Sequence, residues 1–159
     1  MNTSPTPTPH TEVEILLVED DPNDVELTLI ALRKNNLANK IHVVRDGEEA
    51  LEFLFCRGPH AGRPLEMLPK VVLLDLKLPK VTGLEVLKEI KWDPRTRAVP
   101  VVVMTSSREQ RDLVEGYKLG VNSYIQKPID FTEFQTVIKH LGYYWLVVNE
   151  GPPPEAFGT

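Results

Sequence analysis

Five short apolar runs alternate with longer segments of helical spacing, and this alternation limits the possible folds more than any other feature of the chain. The runs are VEILLV (13–18), KIHVV (40–44), KVVLLD (70–75), VPVVVMT (99–105) and NSYIQK (122–127). Between and after them stand PNDVELTLIALRKNN (22–36), DGEEALEFLFCR (46–57), GLEVLKEIKW (83–92), REQRDLVEGYKLG (108–120) and DFTEFQTVIKHLGYYWLVV (130–148). Val25, Leu29 and Leu32 recur at helical steps, Pro22 suits a first turn and Gly120 a helix stop. Continuous apolar strands separated by helices predict an α/β layer: a parallel sheet buried on both faces. Right-handed crossovers leave few strand orders for such a chain.

In a parallel sheet every carboxyl end lies on one edge. Glu19 and Asp20, Asp75, Thr105 and Lys127 each stand where an apolar run ends, so residues far apart in sequence can converge there. Open α/β sheets bind ligands at that edge, where strand order reverses. Other five-stranded α/β orders fit the pattern as well, but in an order 2-1-3-4-5 the first and third strands would adjoin, and Asp20 and Asp75 would flank the crevice. Carboxylates about 4 Å apart repel by about 1 kcal/mol in water and by several times that where shielded. Such crowding predicts a cation, and magnesium takes one or two carboxylates together with waters and phosphate oxygens. A carboxylate can also act as a nucleophile, with Lys127 and the Thr105 hydroxyl placed to hold phosphoryl oxygens. Asp21 and Asp24 read differently, as acids at the positive end of the helix that Pro22 begins.

Composition narrows the classes. A chain of 159 residues has room for one domain with a real core. A net charge of -5 argues against a general nucleic-acid binder. Cys56 is the only cysteine, which excludes an intrachain disulfide and fits a cytoplasmic setting. On an apolar helix face it reads as a small buried hydrophobe. No run approaches the length of a membrane span, and MNTSPTPTPHTE lacks the regions of a secretory signal. The histidines, His10, His42, His60 and His140, show no ligand spacing and none is read as functional. GPHAGRPLEMLP (58–69) is a surface excursion.

ILLVEDDP, LLDLKLPKVTGLEVL, PVVVMTSS and YIQKP resemble, in order and spacing, the motifs of response-regulator receiver domains. The resemblance covers about residues 13 to 141, and its fuller form is to the stand-alone regulators paired with bacterial phytochrome histidine kinases. It implies a flavodoxin-like (CheY-like) doubly wound fold: a five-stranded parallel sheet of order 2-1-3-4-5 with five helices, the last extended. Residues 1–12 would be a flexible tail, 13–148 the receiver domain and 149–159 a flexible Pro-rich tail. The family pattern places the phosphoacceptor at Asp75. Magnesium would be held by Asp20, by Glu19 through water, by Asp75 and by the backbone carbonyl of Lys77. Thr105 matches the switch hydroxyl, Lys127 the family's lysine, Tyr124 the aromatic that turns inward with Thr105, and Lys127–Pro128 the family's cis peptide. The implied partner is a histidine kinase, with output by protein binding and no chemistry beyond the protein's own phosphorylation and dephosphorylation. No membrane or nucleic-acid partner is expected.

Glu19 stands where Asp is frequent. The side chains of Lys77 and Ser107 flank the pocket and are read as tuning phosphoryl lifetime. In the last helix Phe131, Phe134, Ile138, Leu141, Trp145 and Val148 recur at steps of three and four, a heptad-like stripe. Part of the stripe would be core in any receiver, but YYWLVV runs past the usual domain end, so a homodimer through this helix is expected, the alternative being a helix folded back on its own domain. Two other readings make distinct demands. An interaction module that kept only the fold would lose residues among the acids, acceptor and lysine, yet all are present. A dehalogenase-type phosphatase usually carries a second Asp where Lys77 stands.

Overall fold

A computed structural model describes residues 13–36, 40–106, 109–128 and 130–158. Its elements alternate as β1 Ile15–Val18, α1 Pro22–Lys34, β2 Ile41–Val44, α2 Gly47–Leu54 and β3 Val71–Leu74. There follow α3 Gly83–Trp92, β4 Val101–Thr105, α4 Gln110–Lys118, β5 Ser123–Gln126 and α5 Phe131–Tyr143. The strands form one sheet of order β2-β1-β3-β4-β5, and every pairing is parallel. Register aligns Val18 with both Val44 and Leu74, and Leu74 with Val103. The residues that follow these strands therefore emerge at one level, which is what builds the site.

The alternation of side chains along each strand divides the core in two. On one face Leu16, Val18, Leu74 and Val103 pack with Phe53 and Leu54 of α2 and Val86, Leu87 and Ile90 of α3. On the other, Leu17, Leu73 and Met104 pack with Val25 and Leu32 of α1 and Phe134, Ile138 and Leu141 of α5. Burial on both faces is why the strands read as unbroken apolar runs.

The helix starts follow local chemistry. Asp21, Asp46 and Asp130 each accept backbone N–H groups at an N-cap, and Thr82 and Glu85 form a reciprocal capping box on α3. Gly83 lies so close under β3 that an added Cβ would stand 2.3 Å from the Asp75 carbonyl oxygen. Only glycine fits there.

Four sequence expectations need correction. The α2 helix ends at Leu54, and Cys56 sits at φ 54 in the following turn. It is half-buried there, with its Sγ against Arg63, rather than buried on a helix face. The last helix is α-helical only to Tyr143 and continues as a π-helical turn, Tyr144–Val148. There is no cis peptide among the described residues, Lys127–Pro128 included. Within the expected dimer stripe, Phe134, Ile138 and Leu141 are buried in this chain's own core. A helix packed on one sheet face has already used those side chains, while Phe131 and Val148 stay exposed and Trp145 is half-buried.

Residues 1–12 of the expected N-terminal tail lie outside the described residues. The segment after α5 runs back toward the 58–69 connection. Phe157 packs against the core, Gly158 N–H donates to Pro94 O at 2.7 Å, and a cavity of about 650 Å³ lies between Leu68, Pro100, Trp145 and Phe157. No described helix is long and apolar enough to cross a membrane.

Candidate functional site

The carboxyl edge of the sheet gathers what the sequence scatters. Backbone bonds set the level of each strand end: Asp75 N–H donates to Val18 O at 3.1 Å, Glu19 N–H to Val44 O at 3.0 Å, and Lys127 N–H to Thr105 O at 2.8 Å. Glu19, Asp75 and Thr105 are thereby buried at 4%, 6% and 0% exposure, while Asp20 is open to solvent.

Asp75 lies at the centre. Its Oδ1 accepts from the Thr105 hydroxyl at 2.9 Å and from Lys77 N–H at 3.1 Å. Its Oδ2 accepts from Lys127 Nζ at 2.9 Å. The same ammonium donates to Glu19 Oε1 and, at 2.8 Å, to Asp24 Oδ2. Glu19 Oε2 in turn accepts from Asp21 N–H at 3.2 Å. One carboxylate oxygen from each of Glu19, Asp20 and Asp75 lies within 4.8 Å of the others.

This crowding shifts protonation. Burial, reinforced by the Asp75 charge, pushes the Glu19 carboxyl up to about 8 in spite of Lys127. Burial also acts to raise Asp75, but the Lys127 charge and hydrogen bond, with the Lys77 N–H, hold it below the usual range. Burial disfavours the Lys127 ammonium, yet bonds to Asp24, Glu19 and Asp75 keep it well above an ordinary lysine. Among the described residues, Lys127 thus faces the carboxyl groups of Glu19, Asp24 and Asp75, with Asp20 beside them. An all-oxygen donor set with excess negative charge suits a hard divalent cation.

Every strand-end residue expected at the site is there: Glu19, Asp20, Asp75, Thr105 and Lys127. The Lys77 side chain points into solvent, and Ser107 lies outside the described residues. Tyr124, on β5, is half-buried, and an added Gly116 Cβ would stand 3.3 Å from its Cδ2. Asp24 is the residue that sequence reasoning missed. It does occupy the first turn of α1, but its carboxylate also pairs with Lys127. Nothing in the local pattern signals that partner, which follows directly after β5.

Comparison with known proteins places this geometry. The profile of the response regulator receiver domain matches residues 15–139. The bacteriophytochrome response regulator AtBRR is 53% identical, with a TM-score of 0.69 over 88% of this chain and 99% of its own. The Mn2+-bound form of response regulator Rcp1, a protein of Synechocystis sp., is 35% identical, with a TM-score of 0.82 over 89% of this chain and 99% of its own. The phosphorylated cyanobacterial phytochrome response regulator RcpA is 36% identical, with the same TM-score of 0.82 over 90% and 100%.

Proposed function

This chain belongs to the response regulator receiver domain family of two-component systems, and from that premise we propose that it accepts a phosphoryl group on Asp75 from a histidine kinase. The observation that carries the reading is the setting of Asp75. It is a buried carboxylate kept ionised by Lys127, oriented by the Thr105 hydroxyl and the Lys77 N–H, and within reach of two further acids.

Magnesium fits the donor set, which is made of carboxylate oxygens from Glu19, Asp20 and Asp75 with the Lys77 carbonyl close in sequence. When bound, the ion supplies positive charge that offsets the carboxylates and the incoming phosphoryl oxygens. The remaining work falls to the chain itself. Lys127 holds Asp75 ionised and can pass from the carboxylates to a phosphoryl oxygen. Thr105 can exchange its bond to Asp75 for one to the phosphoryl group, and Tyr124, on the neighbouring strand, is placed to respond. Such a change shifts a pre-existing equilibrium of the surface formed by α4, β5 and α5.

Similarity to phytochrome-paired regulators supports a phytochrome-type kinase as the donor. A homodimer remains part of this reading, through the part of the last helix that the core has not used: exposed Phe131, Tyr143, Tyr144, Val147 and Val148. Sedimentation at tens of micromolar tests it, and a monomer with and without phosphorylation would exclude it. For the main reading, the protein is incubated with magnesium and acetyl phosphate. A hydroxylamine-labile phosphoprotein is expected, and no label, or equal label in Asp75→Asn, would overturn the proposal.

A further inference from the structure

A second cluster of potential ligands lies away from the acidic edge. The sequence shows no relation among His42, Glu49 and His60, but the fold brings them together. His42 lies on β2, which the strand order makes an edge of the sheet. Glu49 is in the first turn of α2, and His60 closes a 3-10 turn, Gly58–His60. One imidazole nitrogen from each histidine and one Glu49 carboxylate oxygen lie within 4.8 Å of one another.

Phe53 sets the geometry of the pair of rings. His42 stacks on it at 4.5 Å between centroids and 16° between planes. His60 meets it edge-on at 5.1 Å and meets His42 edge-on at 5.4 Å. Arg63, the nearby cation, sits over the same Phe53 ring and donates to the Phe53 and Met67 carbonyls and to Cys56 Sγ. The imidazoles are therefore held in place by packing before any ligand arrives, which lowers the ordering cost of binding. A second observation points the same way: His42 Nε2 is buried with no hydrogen-bond partner. A buried polar atom left unpaired in this way calls for a specific cause, such as an ion.

We propose that His42, Glu49 and His60 bind a divalent transition ion of the zinc class. Two imidazoles and one carboxylate match borderline ions and do not suit magnesium, which prefers oxygen donors. Bond lengths of about 2.0–2.2 Å need ligand atoms about 3.3 Å apart, so small side-chain rotations complete the site. Three protein ligands leave one position for water or for a group from another molecule. A bound ion would tie the 58–69 excursion and the start of α2 to β2, giving that connection a structural role independent of phosphorylation.

The test uses untagged full-length protein in excess magnesium, which occupies the acidic edge, titrated with Co2+ and read by visible absorption. One equivalent is expected to produce tetrahedral-type bands that Zn2+ displaces and that persist in Asp75→Asn. His60→Ala should weaken binding by more than the 10–100-fold typical of losing an outer-shell partner. Glu49→Gln serves as the second variant should His60→Ala fail to fold. Absence of bands, bands lost in Asp75→Asn, or binding unchanged in the variants would each overturn the proposal. Acetyl phosphate labelling of Asp75 would be untouched by any of these failures.

Discussion

Asp24 Oδ2 and Lys127 Nζ are joined by a 2.8 Å ion pair across 103 positions of sequence. This contact ties the first turn of α1 to the end of β5 and separates the roles of two neighbouring acids. Asp21 caps the helix, accepting from the Asn23 and Asp24 N–H groups, whereas Asp24 helps to hold the lysine.

Asp21→Asn and Asp24→Asn should therefore differ in kind. Asn is itself a good cap, so Asp21→Asn should change the urea midpoint little, while Asp21→Ala costs about 1 kcal/mol. Neither should alter labelling by acetyl phosphate. Asp24→Asn removes one of three anchors of Lys127 and part of the local negative charge. It should weaken magnesium binding and slow labelling by a factor of about 2–10, in line with a partly shielded charge pair. Equal labelling rates for the Asp21 and Asp24 variants would refute the division.

Thr105→Val replaces a fully buried hydroxyl that bonds to a carboxylate. Bonds to charged groups contribute about 1.5–3 kcal/mol, so denaturant unfolding should show a loss in that range. Asp75 should still take label. On the proposed switch, the phosphorylation-dependent change in the NMR signals of Tyr124 should disappear, because the hydroxyl bonded to Asp75 is gone. A variant with an intact Tyr124 response would show that the switch does not pass through Thr105.

Protonation of Glu19 gives a pH signature. Its carboxyl titrates at about 8 in the folded protein against 4.5 ordinarily. Between these values the folded chain holds a proton that the unfolded chain does not, so this stabilisation is present below about 4.5 and lost as pH rises through about 8. With chelator present, the Tm of the wild type should fall across this window relative to that of Glu19→Gln. Added magnesium should shrink the difference, since the ion competes with the proton. Parallel Tm curves for the two proteins would contradict the assignment.

Gly83→Ala tests the packing that supports the acceptor. The added methyl would meet the Asp75 carbonyl at 2.3 Å and Leu76 Cα at 2.4 Å, and neither backbone atom can move without shifting β3. A loss of about 3 kcal/mol in urea unfolding is expected, the upper range of overpacking, together with slower labelling of Asp75. A neutral substitution would show that the α3 start is loosely held.

Much of the architecture was legible in the residues. Apolar runs such as VVLL and VVVMT, buried on both faces, announce a parallel sheet whatever their neighbours do. Pro22 and Asp21 mark the start of the first helix within a few residues, and Gly120 marks a helix stop. Such signals are local: each depends on the dihedrals and hydrogen bonds of a short stretch. The strand-end residues Glu19, Asp20, Asp75, Thr105 and Lys127 were legible too, because a parallel sheet puts all carboxyl ends on one edge.

What only the tertiary structure decided depends on side-chain direction and on partners far apart in sequence. The α5 stripe did not say which of its residues the core takes: packing on the sheet consumed Phe134, Ile138 and Leu141 and left Phe131 outside. Asp24 looked like a helix-start acid until β5 brought Lys127 to it. His42 and His60 looked unrelated until the turn after α2 folded back over the edge strand. Hydrophobic periodicity says which face of an element is apolar, not how much of that face its neighbour covers. Charge pattern says where carboxylates lie, not which ammonium they share. Those questions are settled by contacts between strands and helices that only the completed sheet brings within reach.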